Sequence, residues 1–507
     1  MSRLEWSQAA VRLIEAAFPH SLDQPDARAL CERLMPHVEA STSELSWGDE
    51  DADPAGREAV VRLLHRAAKY QEYRCDWKRA LTLYRKEAGL RDLDIGMPVD
   101  RAAAWLAVGR QHFSLASLDL AEGTCRRALR LCEEPTADPA FLTLRAQALC
   151  ELAGILRERA EFDQALAAAH EAISLYEVHG HGYGTLDWAV AEQQAGLIHR
   201  NAGRLREASA CYERASALVP PPGSQEPAEH QLFRASLLRG LGIVAQDAGL
   251  LDMAENRLRE ALAVFRDATG PDFDSAQIAK FLADVLRRRA EEDRRRPLWH
   301  LTARRRSRAR LHEAAALLAP AVALHRSRGE TDEQMYAACL NKRGSLELAL
   351  HRRRAARATL TQAEEIYSTH YESDHPYRAK TLARLGPVLL ALHQREQAEL
   401  TLREAKRIFE NRLGPDHPCL IAVYQRLADC LDRTPRRAGR ARRAQAAAEA
   451  SGLREQAARI TGLVRVGALG LTIEENAEVS ASPARGRPSL RVPVAPPVQR
   501  PGSRELP

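Results

Sequence analysis

Two histidines 42 residues apart, His375 and His417, each stand between an aspartate and a proline, in Ser373-Asp374-His375-Pro376 and Leu413-Gly414-Pro415-Asp416-His417-Pro418. An aspartate beside an imidazole is raw material for a metal site or a general base. The same residues also spell the start of a helix: Asp caps the first turn and Pro occupies it, where a missing N–H costs nothing. Helix-start chemistry explains both flanking residues, so the structural reading is the stronger. Cys125 and Cys132 would share a helix face, but no His or further Cys completes a metal set. Gly180-His181-Gly182-Tyr183-Gly184 follows a helix and not a strand, so it reads as a linker rather than a phosphate cradle. The sequence contains no H-E-x-x-H, G-x-S-x-G or G-x-G-x-x-G, and no Lys preceded by Gly, which excludes a Walker-type phosphate loop. The expectation is a non-enzyme with no catalytic residues, no metal ligands and no cofactor.

Charge is the chemistry that remains. The formal net charge is +6, from 74 basic and 68 acidic residues. Arg287 to Arg310 holds eleven Arg against Glu291, Glu292 and Asp293, and that stretch alone carries more than the net excess. The chain is therefore not a uniformly basic nucleic-acid binder. Within the stretch, Arg294 to Arg306 mixes arginine triplets with Trp299, a combination able to contact phosphates and stack a base. A solvated or partner-contacting loop, projecting from one edge, is the favoured reading. Nine cysteines, an odd number without any C-x-x-C, point to buried thiols in a reducing cytosol. The first residues show no signal peptide, and no apolar run reaches the ~18 residues of a membrane span. A cytoplasmic location away from membranes is expected.

The elements that must position these residues are helices. The 507 residues exceed the ~250–300 at which one hydrophobic core stops growing. Ala, Leu, Arg and Glu dominate, while aromatics make up only 5%, so the chain is all-α. A pattern recurs: a small residue, Ala twelve later, then a large residue and a second Ala, as in Gly242, Ala254, Leu258 and Ala261 or Gly386, Ala398, Leu402 and Ala405. Small anchors fall at 68, 109, 153, 196, 242, 283, 344, 386 and 428. Only the step from 283 to 344 is anomalous; it carries 19 extra residues and the register survives it. The physical reading is helix-hairpin packing, in which the small residue lets the second helix approach and stacked hairpins bury each other's apolar faces.

This pattern resembles the tetratricopeptide repeat (TPR) over residues 57–432, and its ~42-residue period is similar to that of kinesin light chains, a likeness carried by the two Asp-His-Pro motifs. Gly270-Pro-Asp-Phe-Asp274 is a degenerate third copy. The resemblance implies an α-solenoid, a right-handed superhelix of about eight stacked antiparallel hairpins, with an Arg-rich insertion at 288–307. The flanks are expected to be a helical segment at 1–45, an acidic linker at 46–56, capping helices at 433–470 and a disordered Pro/Arg-rich tail at 471–507. Residues 17–19 and 34–38 (Ala-Phe-Pro and Leu-Met-Pro-His-Val) are similar to a segment that precedes TPR sensors in bacterial STAND (NB-ARC-like) ATPases; the ATPase itself is absent.

The TPR resemblance further implies that first helices line a concave groove. Projection from the anchors places Arg157, Gln193, Arg200, Arg239, Gln246, Gln277, Lys280, Arg287 and Asn341 on it. Arg and Lys suit carboxylates, and Gln or Asn can bridge an extended backbone. The expected function is a scaffold or ligand-sensing module that binds a protein or peptide partner, of acidic character, in that groove. The alternative is a nucleic-acid-associated regulator acting through the Arg-rich insertion, 287–310.

Overall fold

In the computed structural model the described residues are 3–22, 24–43, 54–74, 76–93, 97–133, 138–179, 185–220, 227–269, 273–297, 301–435 and 438–481, the last seventeen by backbone alone. Among them are twenty α-helices and no strand. Helices α1 (Arg3–Ala17) and α2 (Pro25–Ser43) pack Val11, Phe18, Cys31 and Val38 onto α3 (Pro54–Tyr73). Helix α3 opens a row of nine antiparallel hairpins. With α4 (Trp77–Leu93) it forms the first; α5 (Pro98–Ser114) and α6 (Leu118–Leu131), α7 (Pro139–Glu158) and α8 (Phe162–His179), α9 (Thr185–Asn201) and α10 (Leu205–Leu218) follow. Next come α11 (Ala228–Ala248) and α12 (Leu251–Thr269), α13 (Phe273–Arg295) and α14 (Leu301–Ser327), α15 (Glu333–Ala349) and α16 (Arg353–His370). The row ends with α17 (Pro376–Ala391) and α18 (Arg395–Leu413), then α19 (Cys419–Asp432) and α20 (Arg440–Ala481).

Every small anchor lies on the first helix of a hairpin, and the reason is contact distance. A Cβ added at Gly344 would sit 2.5 Å from Leu360 Cγ, and one at Gly386 equally close to Leu402 Cγ. The large residue between the two Ala also reaches the next hairpin: Tyr212 lies against Gly196 of its own hairpin and Gly240 of the following one. Six of the hairpins turn in the same way. The backbone N–H of Ser117, Glu161, Arg204, Leu250, Arg352 and Gln394 returns to the carbonyl five residues earlier, the Schellman closure of a helix end. The residue just before each of these, Ala116, Ala160, Gly203, Gly249, His351 and His393, has a positive φ between 54° and 83°. Four of the six are not glycine, so the turn geometry is imposed by packing.

Three expectations need correction. The array has nine hairpins, not about eight: α20 is one continuous helix to Ala481 and packs Ala446, Ala450, Leu453, Ala457 and Ile460 against α19 as its second helix. Seven residues separate α19 from α20 in the sequence, against three in most other hairpins, and this shifts its Ala pattern out of the register of the other repeats. The Arg-rich insertion is not a projecting loop either. Helices α13 and α14 extend through it, and Ala290, Ala303, Ser307 and Leu311 are buried between them. Ser307 Oγ donates to the Ala290 carbonyl at 2.9 Å, and buried Asp293 pairs with Arg306 and Arg310. Finally, the imidazole and not the aspartate caps the helix in the Asp-His-Pro motifs. His375 Nδ1 accepts from Tyr377 N, and His417 Nδ1 from Cys419 N, both at 3.2 Å. Asp374 and Asp416 instead pair with Arg412 and Arg459 on the next helix. Most of the acidic linker, the glycine cluster, Trp299, residues 270–272 of the third motif copy and the tail beyond 481 lie outside the described residues.

The solenoid closes on itself after five hairpins. His375 Nε2 donates to the Glu158 carbonyl at 2.8 Å, and Tyr377 Oη donates to the Glu158 carboxylate at 2.7 Å. One repeat further on, His417 Nε2 donates to the Asn201 carbonyl at 2.9 Å. Pro418 lies against Gly203, and Val464 of α20 packs into the cluster of α9, α10 and α11. Both ring nitrogens of each imidazole are used, and in His375, whose pKa burial lowers, this is the neutral Nε2–H tautomer.

Candidate partner-binding lumen

Because the ring closes, first helices from opposite sides face one another. Arg200 of α9 lies within electrostatic reach of Lys280 on α13 and Lys380 on α17, and Arg287 of α13 within reach of Arg384 and Arg426 on α17 and α19. The expected groove is thus a charged interior, a lumen lined by the first helices. The structure brings the residues projected from α7, α9, α11, α13 and α15 to this interior, yet most already hold partners. Arg157 pairs with Glu158, Arg200 with Asp247 at 2.9 Å, and Arg239 with Asp274 at 3.2 Å. Gln193 donates to Ser236 and Asn341 to Thr381. Lys280 is buried against Gln277 and forms no ion pair among the described residues, although Asp332 lies within electrostatic reach.

Asp284, which sequence projection missed, is the hub of the paired side. Lys342 Nζ reaches it at 2.7 Å, Arg287 Nη2 at 2.9 Å and Gln246 Nε2 at 2.8 Å. Burial opposes ionisation of Asp284, but Lys342, Arg287 and Arg384 outweigh it and hold the carboxyl well below its usual range. Burial in turn pushes the Lys342 ammonium down to about 8, with Asp284 opposing.

The far side of the lumen differs. Lys380, Arg384 and Arg426 are half-buried and form no ion pair among the described residues. Arg384 reaches only the Lys380 carbonyl at 3.3 Å, and Arg426 the Ala383 carbonyl at 2.6 Å. Burial lowers the pKa of all three, and Arg384 and Arg287 help bring Arg426 to about 10. Lys342, Arg384 and Arg426 recur at 42-residue spacing, two before each anchor; that spacing was the signal available in the sequence. Polar atoms are also left over: Gln246 Oε1, Gln277 Nε2 and Asn341 Oδ1 are buried without a hydrogen-bond partner.

These hairpins form a single architecture, with inward first helices and outward second helices. The fold is a tetratricopeptide-repeat solenoid. No protein-family profile matches the chain, and no curated protein does. Among solved structures, the chain is similar to the apo form of the quorum sensor NprR from B. thuringiensis, at 12% identity over 80% of this chain and 100% of that one, with a TM-score of 0.45. It is also similar to a Rap protein complexed with competence and sporulation factor (13% identity, 73% and 99% covered, TM-score 0.44) and to BtubC (BKLC) from P. vanneervenii (20%, 53% and 94%, 0.36).

Two groupings in this solenoid carry reactive side chains that the sequence did not single out. His325, Asp332 and Cys339 come together, with His325 Nδ1 2.5 Å from Asp332 Oδ2, but all three are buried and closed to a substrate. Cys419 opens α19 beside His417; burial opposes its thiolate, and the imidazole overcomes that and lowers its pKa. Among the described residues no group of three or more His, Cys, Asp or Glu is placed to hold a metal. Helix α7 is the one described helix long and apolar enough to cross a membrane, and its apolar residues are core residues of the array.

Proposed function

We propose that this TPR solenoid is a non-catalytic interaction module that takes a peptide or protein segment into its lumen. The orphaned atoms of Gln246, Gln277 and Asn341 carry the reading. Each costs about 1–3 kcal/mol while buried and unsatisfied, and two acceptors and a donor on successive first helices suit the backbone of an extended chain. The lumen is also cationic: Arg157, Arg200, Arg239, Lys280, Arg287, Lys342, Lys380, Arg384 and Arg426 outnumber Glu158, Asp247, Asp274, Asp284 and Glu291, so an acidic partner fits best. Arg200 and Arg239, only partly covered by their own carboxylates, take part in the contact. Capture of the partner from cell extract with and without Arg200→Glu and Arg239→Glu tests this; capture that survives both reversals contradicts it. A role as the sensor of a STAND-type signalling system, beside a separately encoded ATPase, follows from the resemblance of residues 1–45, and an ATPase that co-purifies with the chain tests it.

A second reading rests on Arg295, Arg296, Arg304, Arg305 and Arg308, which are exposed at the tip of the long hairpin without ion pairs among the described residues. Nucleic-acid affinity that collapses with salt and disappears on Arg304→Gln, Arg305→Gln and Arg308→Gln supports it.

A further inference from the structure

The cations of the lumen are not equivalent, and their repeat spacing carries information about what they bind. Lys342, Arg384 and Arg426 occupy the same position in three consecutive hairpins, on α15, α17 and α19. These helices touch in succession, which sets their axes roughly 8–10 Å apart. Lys342 is paired with Asp284, whereas Arg384 and Arg426 hydrogen-bond backbone carbonyls and feel Asp284 only through space without pairing with it, and Lys380 stands one helical turn before Arg384 on the same face of α17. A cation kept from water without a carboxylate is costly, and an incoming anion removes that cost. A polyproline II chain repeats every three residues and rises roughly 9 Å in doing so. Its every-third side chains therefore match the rungs, whereas an α-helix presents i and i+4 only about 6 Å apart.

We propose that Lys342, Arg384 and Arg426, with Lys380, form an anion ladder that binds an extended acidic segment of a partner protein, with its carboxylates at every third residue. The proposal rests on the lumen reading above and names the residues and ligand pattern within it. The occupant is not this chain's own tail, because residues 482–507 contain five Arg and one Glu and would be repelled.

The test uses the full chain and two labelled twelve-residue peptides of equal composition, four repeats of Glu-Pro-Pro and a control with its four Glu clustered at one end. The ladder predicts that the periodic peptide binds at least fivefold more tightly than the clustered one. It also predicts a loss of at least tenfold on Arg384→Gln with Arg426→Gln, recovery with Arg384→Lys and Arg426→Lys, and steady weakening with salt. Circular dichroism and the thermal midpoint confirm that the variants are folded. Absence of binding, equal binding of the two peptides, or binding untouched by the Gln pair overturns the ladder. If the Gln pair leaves binding intact and Arg200→Glu with Arg239→Glu abolishes it, the ladder falls while the lumen reading stands; if neither pair matters, both fall.

Discussion

The two sides of the lumen use the same residue types to opposite ends. On α9, α11 and α13, the cations Arg200, Arg239 and Arg287 are tied to Asp247, Asp274 and Asp284, mostly within one repeat of themselves. On α17 and α19, Lys380, Arg384 and Arg426 form no ion pair among the described residues and feel Asp247, Asp284 and Glu291 only through space. Inward direction alone therefore does not identify a binding residue. What distinguishes the two sides is whether the array already pairs the cation: the ion pairs of Arg200 and Arg239 tie successive hairpins together, and the unpaired side is the one we propose for the ligand.

The largest expected effect lies on the paired side. Asp284→Ala strands Lys342 and Arg287 in a buried setting and costs about 3–5 kcal/mol, read as a lower midpoint in urea unfolding. An unchanged midpoint would erase the distinction between the sides. A smaller loss, about 1 kcal/mol, is expected for Arg200→Met, because its partner Asp247 is more than one-third exposed and screened by water. Arg426→Met, on the unpaired side, is expected to be neutral or stabilising by about 1 kcal/mol, since it removes a half-buried charge that no carboxylate offsets. The sharpest form of the comparison is that this last variant gains stability while losing the acidic peptide. The smallest effect is on pH dependence. Lys342, held at about 8, gives up its charge as pH rises from 7 to 9, so peptide affinity weakens by less than tenfold over that range. In Lys342→Arg the affinity stays flat, as titration calorimetry at three pH values will show.

Much of the fold was legible in the sequence because hairpin packing is local. A glycine such as Gly386 and the Leu402 that fills its notch lie sixteen residues apart, and that spacing repeats. The longer spacing between α19 and α20 hid the ninth hairpin by moving Ala446 and Ala450 out of step. The Arg-rich insertion was misread because its arginines suggest a loop, whereas Ala290, Ala303 and Leu311 give it a core stripe. Of the site, the inward positions on α9 to α15 were readable from the anchors. Their pairing was not, since Arg200 and Asp247 lie 47 residues apart and nothing in their spacing announces contact. Ring closure was the least accessible feature: His375 meets Glu158 across 217 residues, and the Asp-His-Pro motif looks complete as a helix start without it.

Convergence of the first helices depends on that closure, and a double-mutant cycle between Glu158→Gln and Tyr377→Phe measures it most directly. These side chains touch only if the eighth hairpin returns to the third. The closed ring predicts a coupling free energy of about 1 kcal/mol or more in unfolding experiments. Strictly additive effects of the two substitutions would mean an open spiral, whose opposing cations share no lumen.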